Sequence, residues 1–307
     1  MEIKKMVEAS LLCALFIVCS IFAISTGLLY GVYIDIIVPI FIAIIFLRCD
    51  FKFSVLSIIT CLLIVGLIMG NIGSAICMSQ SMIIGILCGI LINKNTKFFD
   101  DLFYLSIISG FIMIMIDISF STLIGFSFIK DCKDIINSIN VNFIFKEIGY
   151  YILVASLPLG TVIMTYFASL FLGDRLNSLG EFGKRKFYIL KNFRKLSNYI
   201  FCSQYTIYFG LIYIFLMQIK NILGINLKYI YLITITETIK YIIYYFLIRD
   251  AYAYLRIFIY NKTKSMLLVN LVGIMTLLAL VLKFKASFWI VSIFSFFYIP
   301  KKLNKLN

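Results

Sequence analysis

Apolar runs, most of them about 18 to 25 residues long, recur along the whole sequence and are separated by short polar stretches. Roughly 20 residues at 1.5 Å of helical rise span a hydrocarbon core about 30 Å thick, so most runs are long enough for one crossing, while 34–47 and 286–299 are short, at about 21 Å. The pattern predicts ten helices, over 6–30, 34–47, 53–69, 73–92, 102–128, 148–172, 198–218, 229–248, 265–282 and 286–299. A β-barrel would show segments of about ten residues with alternating polarity, and stretches such as 211–217 do not alternate. The expected fold is therefore all-α, a polytopic transmembrane helix bundle.

Composition agrees with that pattern. Hydrophobic residues make up 63% of the chain and charged residues 14%, with a mean hydropathy of +1.05, far from the balance of a soluble domain. The first run is too long for the apolar region of a signal peptide and has no small-residue cleavage site after it, so it is expected to stay as the first helix. The eight cysteines form no CxxC pair and most fall inside apolar runs, where they read as small apolar fillers. The chain has no histidine, which removes the commonest general base and the usual zinc ligand. No Walker motif, nucleophile elbow or HExxH is present either. We therefore expect a non-enzyme with no metal, no cofactor and no ATPase of its own. Asp100 and Asp101 are expected at a cytoplasmic edge and Asp131 and Asp134 in an outer loop. None of these forms an enzyme-like pair, which leaves a lipid-processing enzyme as a third reading.

The net charge of +14 needs a positional test. With the N-terminus inside, the segments on that side hold 20 basic residues and the opposite side 7, and Lys240 falls inside a span. This bias follows the positive-inside rule and predicts both termini in the cytoplasm of a bacterial cell membrane, with no need for nucleic acid as a partner. The most basic stretch, 173–195, divides a six-helix region (1–172) from a four-helix region with a basic tail (196–307). Its Arg175, Lys184, Arg185, Lys186, Lys191, Arg194 and Lys195 suit either an anionic inner leaflet or an acidic patch on a cytoplasmic partner. Each such residue near anionic lipid is worth about 1 kcal/mol.

Ionisable groups inside a membrane are costly, and those that persist usually face a partner or a cavity. Asp117 lies within IMIMIDISF, while Glu237 and Lys240 lie three residues apart on one helix face, as a self-neutralising pair or part of a site. Asp117 has no opposite charge in its own span, which leaves Lys240 as a candidate partner. The fourth span is unusually polar. Ser74, Cys77, Ser81, Gly85 and Cys88 form a small-residue stripe suited to close helix approach, and Asn71 and Gln80 fall off it, free to bond a ligand or a neighbouring helix. Pro39 and Pro158 interrupt the second and sixth spans, and interrupted spans often border transport sites. A short polar turn holds Tyr30, Tyr33 and Asp35, and 130–146 mixes apolar and polar residues as a surface helix or a lid would.

The opening KKMVEASLLCALFIVCSIF, the short span with VPIFIAIIFLR, the hairpin around MGNIG and the fourth span ending GILCGILINK follow one another in a familiar order. In this order the chain resembles the YybS-like family of bacterial membrane proteins, whose N-terminal part is similar to the substrate-binding S components of energy-coupling-factor transporters. The resemblance covers about residues 1 to 172. It implies a six-helix core that binds a small molecule near its outer face and contacts a coupling subunit through small-xxx-small spacings such as Ala9 with Cys13. The leading expectation is a small-molecule-binding transporter subunit with candidate contacts Asp35, Asn71, Gln80 and Asp117. The alternative is a structural or regulatory membrane protein that recruits a cytoplasmic partner through 173–195.

Overall fold

A computed structural model describes residues 2–27, 30–70, 72–139, 143–224 and 230–282. Asn71, the lysines at 228, 283 and 285, the tail and the expected tenth span lie outside these residues. Among the described residues every regular element is helical, and six helices are long and apolar enough to cross a membrane: Glu2–Thr26, Tyr30–Ile68, Ile72–Asn93, Phe98–Ile124, Phe145–Arg175 and Tyr231–Thr263. Their outer faces are inside out relative to a soluble protein. Leu11, Val18 and Phe22 on the first helix are 67, 65 and 65% exposed, an apolar surface that lipid covers and water does not.

The chain divides into two compact units. The first holds residues 1–96 and 104–190, and the second holds 97–103 and the described residues from Lys191 onward. The basic stretch 173–195 is shared between them, with 173–190 in the first unit and 191–195 in the second.

In the first unit, α1 (Glu2–Thr26) is followed by one turn of α2 (Tyr30–Val32), a π-helix (Tyr33–Ile37) and α3 (Val38–Met69). α3 reverses direction at Asp50, whose φ of 68° and ψ of 173° leave the helical region. The contacts with α1 require this. Tyr33 bonds Ser20 at 2.6 Å and Arg48 reaches Glu8 at 3.6 Å, so the stretch 33–49 runs antiparallel to α1. Beyond Asp50 the order inverts, and Cys61 lies 3.0 Å from Cys13, with Ser57 also against Cys13. A straight helix would hold Tyr33 and Cys61 about 42 Å apart, yet both meet α1 between residues 13 and 20. The apolar helix Tyr30–Ile68 is therefore two antiparallel passes joined without a loop, and Lys5 pairs with the Asp50 carboxylate at the turn.

This geometry makes a direct prediction. In a variant retaining only Cys13 and Cys61, copper-phenanthroline in native membranes is expected to yield an intramolecular disulfide, detected as a linked peptide by mass spectrometry. Failure to crosslink under conditions that oxidise a control pair would contradict the reversal at Asp50.

α4 (Ile72–Asn93) returns along the first half of α3 at close range, through the predicted small-residue stripe. A Cβ on Gly85 would stand 2.5 Å from the Pro39 carbonyl oxygen, and one on Gly89 would stand 2.6 Å from the Phe46 ring. Phe16, Ile42, Ile45, Met78 and Met82 fill the core between α1, α3 and α4. α5 (Phe98–Ile124) leads to the amphipathic α6 (Phe128–Ser138), then to α7 (Phe143–Arg175) and the short basic α8 (Glu181–Lys191).

In the second unit, α9 (Phe193–Leu196), α10 (Gln204–Ile222), α11 (Ile230–Thr263) and α12 (Met266–Leu282) follow in order. Tyr213 on α10 donates to the Thr236 carbonyl of α11 at 3.0 Å. Gly273 on α12 gives room to the Tyr252 hydroxyl of α11, which a Cβ would meet at 2.6 Å.

Candidate functional site

A cavity of about 720 Å³ opens in the first unit among the end of α1, α2, the π-helix, α4, α5, α6 and α7. Its walls are mostly apolar, supplied by Ile24, Ile34, Met113, Ile116, Phe126, Phe128 and Leu157. Asp35, Ser74, Gln80 and Asp117 bring polar side chains to this lining, together with the Tyr30 hydroxyl. Three of the four residues singled out from sequence, Asp35, Gln80 and Asp117, thus share one cavity, and the fourth, Asn71, lies outside the described residues.

Pro39 accounts for the local shape at Asp35. In an α-helix the N–H of residue 39 would donate to the carbonyl of residue 35, but proline has no N–H and its ring crowds that carbonyl. The chain relaxes into a π-turn, with the Val38 N–H donating to the Tyr33 carbonyl five residues back. Such widened turns re-aim side chains and recur at functional sites. The Asp35 carboxylate faces the cavity and makes no hydrogen bond or ion pair among the described residues. Gln80 likewise has no hydrogen bond among them.

Asp117 is differently placed. Its carboxylate accepts from the Phe128 N–H at 2.7 Å, the Ser127 hydroxyl at 2.9 Å and the Ile129 N–H at 3.4 Å, and so caps the N-terminus of α6. This is the charge a helix start favours, and it explains Asp117 without Lys240. α6 is held at the cavity by this cap, with Phe128 in the wall, and buries Cys132. Tyr30 donates to Ser74 at 2.8 Å, which ties α2 to the start of α4 beside the cavity. Sequence reasoning noticed Pro39, Tyr30 and Ser74 separately and missed Phe126 and Phe128, because nothing local marks a residue after a helix end as part of a wall.

The opposite end of these helices is basic. Lys5, Arg48 and Asp50 gather there. Lys186 of α8, buried at 3% exposure, donates to the carbonyls of Leu91 and Lys94 at 2.6 and 2.8 Å and to the Thr96 hydroxyl at 3.1 Å. Lys186 therefore caps the C-terminus of α4 and is not presented to lipid or a partner, which corrects the reading that grouped it with its basic neighbours. Arg175 stacks on Phe171 at 4.7 Å and Arg185 lies 5.9 Å from the Phe182 ring.

No family model, curated protein or solved structure matches this chain. Its chemistry must be read from its own geometry.

In the second unit, Glu237 and Lys240 pair with each other, with side chains only 14 and 13% exposed, so the charge of each is cancelled on its own helix. A larger polar node was not anticipated. Asp250 is fully buried and pairs with Arg249 while accepting from the Cys202 N–H at 2.9 Å. The Arg249 guanidinium also donates to the carbonyls of Ser197 and Ile200 at 2.9 and 2.7 Å and stacks on the Phe99 ring at 3.2 Å. Asp100 accepts from the Ser203 N–H at 2.7 Å and is buried. The bonds from Arg249, Asp250 and Asp100 fix the backbone of 197–203 against the start of α5 and against α11.

Proposed function

We propose that the chain is a small-molecule-binding membrane subunit, akin to the S components of energy-coupling-factor transporters, with its site in the 720 Å³ cavity. The observation that carries this reading is a largely apolar cavity holding two polar groups, Asp35 and Gln80, without hydrogen-bond partners among the described residues. Apolar walls with a few convergent polar groups are the usual make-up of a ligand site. Its volume suits an organic molecule and far exceeds a single ion. In the N-in orientation that the basic residues favour, the cavity lies at the outer side and the Lys186-capped end faces the cytoplasm. There Lys184 and Arg185 of α8 meet anionic headgroups or a coupling protein. Without an ATPase motif of its own, the chain would depend on such a partner for active transport.

The test is purification in mild detergent followed by mass spectrometry of extracted small molecules and of copurified proteins. The expected result is a stoichiometric organic molecule in the wild type that is absent from Gly31→Phe. Gly31 lines the cavity and a Cβ there meets no atom within 4 Å, so a side chain can start from this position without a clash at its Cβ, and phenylalanine is chosen to take up cavity space. Equal amounts of the same molecule in both proteins would overturn the reading.

A further inference from the structure

We infer that the ligand is an organic cation, an amine or a positively charged nitrogen heterocycle on an apolar body, held by Asp35. This inference rests on the cavity being a small-molecule site. Two carboxylates, Asp35 and Asp117, line the cavity, and no Lys or Arg is among its described lining residues. The Asp117 charge is spent, since one hydroxyl and two backbone N–H groups converge on it. Asp35 has no such donors among the described residues. A carboxylate left unpaired in an apolar setting is costly, and it persists where a cation arrives to neutralise it.

The π-turn adds direction to this charge. Pro39 makes the widened turn intrinsic to the sequence, so Asp35 is aimed at the cavity before any ligand arrives. Tyr30, Phe126 and Phe128 add aromatic surface to the walls, which attracts the positive edge of an organic cation as well as its apolar body. Gln80 offers an amide NH2 to donate and a carbonyl oxygen to accept from a second polar group. A metal ion would leave most of the cavity and its apolar walls unused. An anion would meet two carboxylates and no countercharge.

The experiment compares three probes with one ring system: tryptamine, tryptophol and indole-3-acetate, titrated onto the full chain in detergent micelles with affinity read by calorimetry and melting temperature. Tryptamine is expected to bind about tenfold or more tightly than tryptophol, the factor a charge-assisted hydrogen bond supplies, and indole-3-acetate more weakly still. Asp35→Asn is expected to bring tryptamine and tryptophol to similar affinity while keeping the unliganded melting temperature, since no native bond is lost. Gln80→Ala is expected to weaken both, with the preference for the amine retained. The inference is overturned if indole-3-acetate binds as well as tryptamine, if Asp35→Asn leaves the preference intact, or if tryptamine fails to bind at the limit of its solubility. Equal binding of all three probes that Gly31→Phe abolishes would discard the cationic class and keep the cavity as a site. Failure of all probes, together with the same copurified molecules in the wild type and Gly31→Phe, would discard both.

Discussion

Asp250→Ala is expected to destabilise the second unit by about 3 to 5 kcal/mol, the cost of leaving a buried partner charge uncompensated. The Arg249 side chain is 17% exposed and that of Asp250 1%, so water cannot replace the lost carboxylate. The Cys202 N–H would lose its acceptor as well. The expected readout is a large drop in melting temperature and faster proteolysis between Lys191 and Gln204, the stretch that this node fixes. A double replacement, Arg249→Met with Asp250→Leu, removes both charges and is expected to recover much of the loss, as apolar substitutions of buried pairs do. A single variant that melts with the wild type would show that the pair carries no such weight.

The second large effect belongs to α4. Gly85→Leu forces a Cβ to 2.5 Å from the Pro39 carbonyl oxygen and to 3.0 Å from the Pro39 Cα and the Ile42 Cβ. Two of those atoms are backbone, so the helices must separate. Overpacking of this kind typically costs about 1 to 3 kcal/mol, and here it also moves Gln80 away from Asp35, so ligand retention is expected to fall with stability. Gly160→Ala is the matched control. Its Cβ meets nothing within 4 Å, and alanine is the better helix former by roughly 1 kcal/mol, so neutral or slightly raised stability is expected.

These effects also mark where the sequence was readable. The all-helical character was legible because an apolar solvent imposes it, through lengths near 20 residues and the need to satisfy every backbone group; ten crossings were expected, and six helices among the described residues are long and apolar enough to make one. The small-residue stripe of α4 was legible for a related reason, since only Gly85 admits the Pro39 carbonyl at such range. Asp117 was found by the rule that ionisable groups persist in apolar runs when something uses them, Gln80 by the polarity of its span and Asp35 by the polar turn that holds it. That rule does not say what the use is. Asp117 serves α6, whose first residues lie ten or more positions further on, and only the chain's path brings them together.

The hairpin at Asp50 shows the complementary case. Sequence pattern placed a polar break there, and the residues Arg48 to Lys52 resemble a short loop. In three dimensions the reversal takes one non-helical residue, because Asp50 adopts a φ of 68° and Lys5 meets its carboxylate. The 173–195 stretch was readable as basic but not as structured. Lys186 differs from Lys184 and Arg185 only in helical phase, and phase decides that it turns inward to the end of α4 while its neighbours remain at the surface.

The central claim is that the cavity beside Asp35 holds an organic molecule. A cryo-EM map of the full chain, purified from native membranes into lipid nanodiscs, tests this most directly. The account predicts compact non-protein density bounded by Tyr30, Asp35 and Gln80, with one end within hydrogen-bonding reach of the Asp35 carboxylate. A cavity that is empty, collapsed, or filled only by a lipid acyl chain would contradict it.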